Sequence, residues 1–192
     1  MENAEQRAGE PQALRLTQRL GLRFALTYGG IASVLFGIYA FPFELFGAER
    51  DWLTGYLAAY ARLSGAVLGL AEPSVVVDGT YIYGRFALQI VRNCDAADVN
   101  ILFVSAVLAF PAPRRTKALP LLLGLLALVA ANVTRICSLY YVGVYRPDWF
   151  RAVHEEVWPL LLVALALVVF LACLKHLDSP EGLTSRGAGA AA

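Results

Sequence analysis

Cysteine and charge are both scarce in this sequence, and each shortage excludes a class of protein. The three cysteines lie far apart at Cys94, Cys137 and Cys173, with no Cys-x-x-Cys pair and no Cys/His ligand spacing. That pattern excludes a disulfide framework and a structural zinc site, and no metal or cofactor is expected. Charged residues make up 16% of the 192 positions, and the arginines are scattered rather than gathered into a basic stripe interleaved with aromatics. No nucleic-acid partner is expected from such a distribution. Gly-x-Ser-x-Gly and Gly-x-Ser-Gly stretches, the sequence forms of a serine nucleophile, are missing. No segment repeats at a fixed period. Against these shortages stands a hydrophobic content of 58% and a mean hydropathy of +0.58. Those values place the chain among small integral membrane proteins, with the lipid bilayer as its solvent.

The apolar runs predict an all-α polytopic membrane protein with about four transmembrane helices, near 22–41, 94–110, 118–144 and 157–174. Residues 1–21 are polar, carry Arg7, Arg15 and Arg19, and read as a flexible cytoplasmic tail. The first span is too long for a signal peptide and no clear small-residue cleavage pattern follows it, so it is expected to stay as an anchor. Pro42, Phe43 and Phe46 then mark the outer interface. Arg114, Arg115, Lys117 and Lys175 assign the opposite ends of the later spans to the cytoplasm by the positive-inside rule. Residues 47–93 thus form one external region, inside a single membrane-embedded domain over 22–175.

Two elements are expected in that external region. Within Asp51 to Leu70, the residues Thr54, Ala58, Ala61, Arg62, Gly65 and Gly69 share one helical face and Leu53, Tyr56, Leu57, Tyr60, Leu63 and Val67 the other. This is an amphipathic helix with a small-residue seam, predicted to lie in the outer interface rather than to cross. The run from Val75 to Tyr83, β-prone on both sides of Asp78-Gly79, predicts a small β-hairpin. Tyr140, Tyr141, Tyr145, Trp149, Phe150 and Trp158 are placed as an outer aromatic belt. Residues 176–192, rich in Gly, Ala and Ser towards the end, are expected to be a disordered cytoplasmic tail.

Arg135 interrupts the longest apolar run and asks for a reason. A charged side chain in a membrane helix costs at least about 2.5 kcal/mol, so such residues usually face a partner, a cavity or a site. Counted from Ala118 at about 1.5 Å per residue, Arg135 lies roughly 26 Å along a core about 30 Å thick, near the outer surface. A snorkelling arginine would also sit there. The topology brings Cys94, at the start of the second span, and His154, at the start of the fourth, to the same depth. Cys94 would gain from the positive end of a helix, while Asp95 and Asp98 would oppose its ionisation unless Arg85, Arg92 or Arg135 neutralises them. His154 has the ordinary pKa range that proton transfer near neutrality needs. Asn132, one turn before Arg135, could hold its guanidinium, donate to a substrate carbonyl or make a structural bond between helices. Glu155 could orient His154 or Arg135, or simply be a solvated helix start. Cys137 and Cys173, inside spans, read as inert small hydrophobes.

Cys94, then Asn132-Val133-Thr134-Arg135-Ile136, then His154-Glu155-Glu156-Val157-Trp158, in that order on successive segments, resembles the exosortase/archaeosortase family. The likeness covers roughly residues 24–175 and is most like the compact exosortase H branch. The resemblance implies a multi-pass cysteine transpeptidase of the bacterial inner membrane, with its active site on the periplasmic side. Its implied partners are membrane-anchored proteins bearing a C-terminal sorting signal, which it cleaves before passing the product to an acceptor. The family's Cys, Arg and His fall on Cys94, Arg135 and His154. The chain departs from the family where Asp95-Ala96 replaces the usual small polar residue and glycine after the cysteine. On this reading Cys94 attacks the scissile carbonyl, Arg135 stabilises the oxyanion and His154 protonates the leaving amine. The rival reading is a non-catalytic membrane scaffold in which Arg135 makes a structural ion pair with Asp95 or Asp98.

Overall fold

The computed structural model of the chain describes residues 2–40 and 52–177. The expected interface markers Pro42, Phe43 and Phe46 and the tail after Leu177 lie outside the described residues. Six helices follow in order: α1 (Glu2–Ala40), α2 (Trp52–Gly69), α3 (Ala97–Ala109), α4 (Arg114–Tyr145), α5 (Phe150–Ala152) and α6 (Trp158–Leu177). A small sheet of β1 (Val76–Asp78), β2 (Tyr81–Tyr83) and β3 (Leu88–Gln89) lies between α2 and α3. The protein is an all-α polytopic membrane protein with a minor β element.

Among the described residues, three helical stretches are long and apolar enough to cross a bilayer: Gln18–Ala40, Arg114–Tyr145 and Pro147–Lys175. The expected second span is shorter than 94–110, because its helix begins at Ala97 and ends at Ala109. Thirteen residues fall below the roughly 20 that a lone spanning helix needs. It is not alone: α3 packs on α1, α4 and α6, and Cys94, Asp95 and Ala96 ahead of it are buried in protein. Non-helical backbone is tolerated at membrane depth only under such cover. At its far end Lys117 Nζ donates to the Leu108 carbonyl at 2.6 Å, a cationic cap on the last turn of the helix. The outward faces of α1 and α6 expose Leu26, Val34, Leu160 and Val168, as lipid contact would require.

Two sequence expectations are corrected. The N-terminal tail is helical from Glu2, continuous with the first span, since a run rich in Ala, Glu, Gln, Leu and Arg is made of good helix formers. His176 and Leu177, assigned to the disordered tail, end α6.

The buried face of α2 falls between the two faces read from the sequence. It takes Leu53, Leu57 and Tyr60 from one, Ala61 and Gly65 from the other, with Ser64 and Leu68 at its centre, and leaves Leu63 and Val67 exposed. That stripe packs against α4 and the sheet. A Cβ on Gly65 would run into Val77 of β1, so the small residue sets how closely helix and sheet approach.

The hairpin forms where Asp78-Gly79 predicts it, with Gly79 in the left-handed region at φ +57. The sequence reading lacked the third strand, a two-residue element antiparallel to β2. Ile82 and Leu88 turn inward to a core shared with α2 and the outer half of α4, including Tyr140. A second core joins α3, α4 and α6. Cys94 belongs to the first core and Ala96 to the second, so the chain enters α3 across the seam between them.

Candidate active site

Cys94 closes a single 3₁₀ turn, Arg92–Cys94, and its amide donates to the Val91 carbonyl at 2.7 Å. Ahead of α3 comes a tight turn in which Ala96 takes a left-handed conformation, φ +52 and ψ +27. Glycine is the residue that conformation favours, and it is glycine that the family resemblance expects there. Asp95 explains how alanine is held: its Oδ1 accepts the Ala97 amide at 3.0 Å and its Oδ2 accepts the Tyr39 hydroxyl at 2.8 Å. The carboxylate thus bonds its own backbone two residues on, as Asp does in turns, and ties the turn to α1.

Asn132 fixes the same turn from α4. Its Nδ2 donates to the Cys94 carbonyl at 3.0 Å, and the side chain is fully buried. That bond joins two segments and is directed at the backbone of Cys94.

His154 lies in a π-helical turn, Val153–Val157, between α5 and α6. The turn has a cause in the sequence. Pro159 has no amide hydrogen and its ring crowds the carbonyl four residues back, so the ladder widens just upstream and Trp158 N–H reaches the Val153 carbonyl instead. The His154 carbonyl is then left with no helical donor, because its i+5 partner is Pro159. Arg135 Nη2 supplies one, at 3.5 Å. The imidazole is stacked on Phe150, with centroids 5.9 Å apart and planes 9° from parallel.

The three expected residues meet. His154 Nε2 is 3.2 Å from Cys94 Sγ, and Arg135, only 4% exposed, lines a cavity of about 300 Å³ together with both. The remaining walls are largely apolar, from Ile136, Leu139 and Phe150 and from residues 86–91. A thiol, an imidazole and a guanidinium around one apolar cavity provide a nucleophile, a proton carrier and an anion-binding group.

The supporting residues divide. Asp95 and Asn132 are beside Cys94, whereas Glu155 turns to the surface and pairs with Arg151 at 3.0 Å, the solvated alternative. Asp98 is exposed in the first turn of α3 and is not among the cavity walls. Arg85 serves Glu72 at 3.5 Å and the Tyr145 hydroxyl at 3.1 Å rather than Asp95. Cys137 and Cys173 donate to the Ser64 and Pro120 carbonyls, each at 3.7 Å, and neither is among the cavity walls. The helix-terminus argument for Cys94 gives way to a more direct one, since α3 starts three residues later and the group beside the sulfur is His154.

Sequence reasoning passed over Tyr39, Pro159 and the stacking role of Phe150. Phe150 precedes His154 by four residues, a spacing that puts both on one helical face, and Pro159 inside an apolar span was a signal for a broken ladder. Tyr39 and Asp95 are 56 residues apart, and no local pattern joins them.

A family model described as transmembrane exosortase matches residues 19–172. No curated protein and no solved structure matches the chain.

Proposed function

Because the chain belongs to the transmembrane exosortase family, we propose that it is a membrane cysteine transpeptidase acting on exported proteins with a C-terminal sorting signal. The observation that carries the proposal is the 3.2 Å contact of Cys94 Sγ with His154 Nε2 in a cavity that Arg135 also lines.

The thiol proton passes to His154 Nε2 as sulfur attacks the scissile carbonyl carbon. The carbonyl oxygen takes up the negative charge, and Arg135 stabilises it. The tetrahedral intermediate collapses to a thioester as the amine departs with the proton from His154. An acceptor nucleophile then loses its proton to His154 and attacks the thioester, and the Cys94 sulfur leaves and is reprotonated. Apolar walls strengthen each electrostatic step by keeping water away.

On this reading the site lies on the periplasmic side of a bacterial inner membrane. Support comes from Arg114, Arg115, Lys117 and Lys175 gathering at the end of the bundle away from Cys94, as cytoplasmic ends do. The test is co-expression with a membrane-anchored reporter bearing a short motif, a transmembrane helix and a basic tail. The reporter is expected to shift in size with the native chain and not with Cys94→Ala; cleavage that survives Cys94→Ala removes the nucleophile.

A further inference from the structure

Among the described residues the sheet ends at β3, and both residues of that strand line the cavity. Register decides which backbone groups lie on that edge. Ile90 N–H donates to the Thr80 carbonyl at 2.9 Å, which makes Thr80 and Ile90 a hydrogen-bonded pair. Pairing continues with Tyr81 opposite Gln89 and Ile82 opposite Leu88. Bonded and non-bonded pairs alternate along an antiparallel ladder, so the amide and carbonyl of Gln89 point away from β2. Gln89 is itself a wall of the cavity that holds Cys94, Arg135 and His154.

The edge is also held still. Arg85 N–H donates to the Tyr140 hydroxyl at 2.8 Å, with Tyr140 fully buried. Gly84 lies against that hydroxyl, and the Phe86 ring covers Gly143 of α4 so closely that a Cβ at either glycine would collide. The strand that follows is thereby anchored to the same helix that carries Arg135.

We propose that the substrate segment around the scissile bond binds as a fourth strand on β3, taking the Gln89 amide and carbonyl with its own backbone. An extended peptide presents alternate side chains to one face, and those entering this cavity meet Ile136, Leu139 and Phe150. The ligand class is therefore an extended peptide with apolar side chains at alternate positions, recognised mainly through its main chain. This inference rests on Cys94 being the nucleophile.

The test compares two labelling rates at Cys94 in the full-length protein in lipid nanodiscs, followed by mass spectrometry of the Cys94 peptide. One reagent is a pool of N-acetyl tripeptidyl acyloxymethyl ketones, from which the sulfur displaces a carboxylate to form a thioether. The other is iodoacetamide, too small to pair with a strand. Gln89→Pro removes only the outward amide, and proline is tolerated at such edge positions; Gln89→Ala keeps it. The ratio of peptidyl to iodoacetamide rate is expected to be about tenfold lower in Gln89→Pro than in Gln89→Ala. N-methylating the probe backbone should lower the ratio similarly on the native chain, a measurement that does not depend on the folding of any variant. Equal ratios in the two variants, with no effect of N-methylation, overturn strand addition. Iodoacetamide labelling of Cys94 without any peptidyl labelling also overturns it. Failure of iodoacetamide itself to label Cys94 overturns the nucleophile assignment, a separate result.

Discussion

Pro159 follows His154 by five residues, the span of one π-helical hydrogen bond, and the amide hydrogen it lacks is the one that the His154 carbonyl would accept. Arg135 takes that place from α4, so a missing donor in one helix joins the guanidinium to the backbone of the histidine. Pro159→Ala restores the donor and lets the ladder compete with Arg135. Reporter cleavage is expected to fall about tenfold, the scale of one lost hydrogen bond at a charged group. Thermal stability is expected to rise, because proline inside a helix costs about 3 kcal/mol relative to alanine. A variant that is both more stable and fully active would sink the coupling.

Arg135 has two tasks that a lysine cannot share. Its planar fork can hold the His154 carbonyl through one nitrogen while others face the cavity, whereas an ammonium is a point donor on a flexible stem. Arg135→Lys keeps the charge and should still lose about a hundred- to a thousandfold in cleavage rate, the scale for one oxyanion donor. Single-turnover kinetics of the purified variant check it, and a loss confined to substrate affinity would assign Arg135 to binding instead.

The three residues of the proposed site were legible in the sequence because each is chemically out of place: a guanidinium in an apolar run, and a histidine and a cysteine at span ends. Their convergence followed from charge at the loops, since Arg114, Arg115 and Lys117 orient three helices at once. What escaped reading depends on tertiary contact. The buried stripe of α2 is set by Val77 meeting Gly65, not by the moment of its own side chains. Strand β3 has two residues, too few for a period, and it exists because β2 offers an edge and Phe86 docks on Gly143. The left-handed turn at Ala96 is invisible locally, since alanine ordinarily signals helix.

Glu155 follows His154 directly, and its carboxylate turns to Arg151. It pairs with Arg151 four residues earlier on an exposed helical face, where solvent screens the attraction. Glu155→Gln is expected to leave reporter cleavage within about twofold. A pH–rate profile displaced in this variant would show instead that its charge reaches His154.

Ala96 and Asp95 form a compensated pair whose coupling can be measured. A left-handed alanine costs about 1–2 kcal/mol. Relief of that strain by Ala96→Gly is offset by the added freedom of glycine in the unfolded chain, about 0.4–1 kcal/mol, and by loss of a buried methyl, about 0.8 kcal/mol. With the turn braced by the Asp95 bonds to Ala97 and Tyr39, Ala96→Gly alone should change stability little. Asp95→Ala removes both bonds and should cost about 2 kcal/mol, the burial penalty of the carboxyl offsetting part of what charged hydrogen bonds contribute. Without that brace the alanine can relax out of the left-handed region, and glycine then has less strain to relieve. Ala96→Gly is therefore expected to cost about 1 kcal/mol in the Asp95→Ala background, a coupling within the range seen for residues in contact. Denaturant unfolding of the four proteins in one detergent measures the cycle; strict additivity would mean that Asp95 does not sustain the left-handed turn.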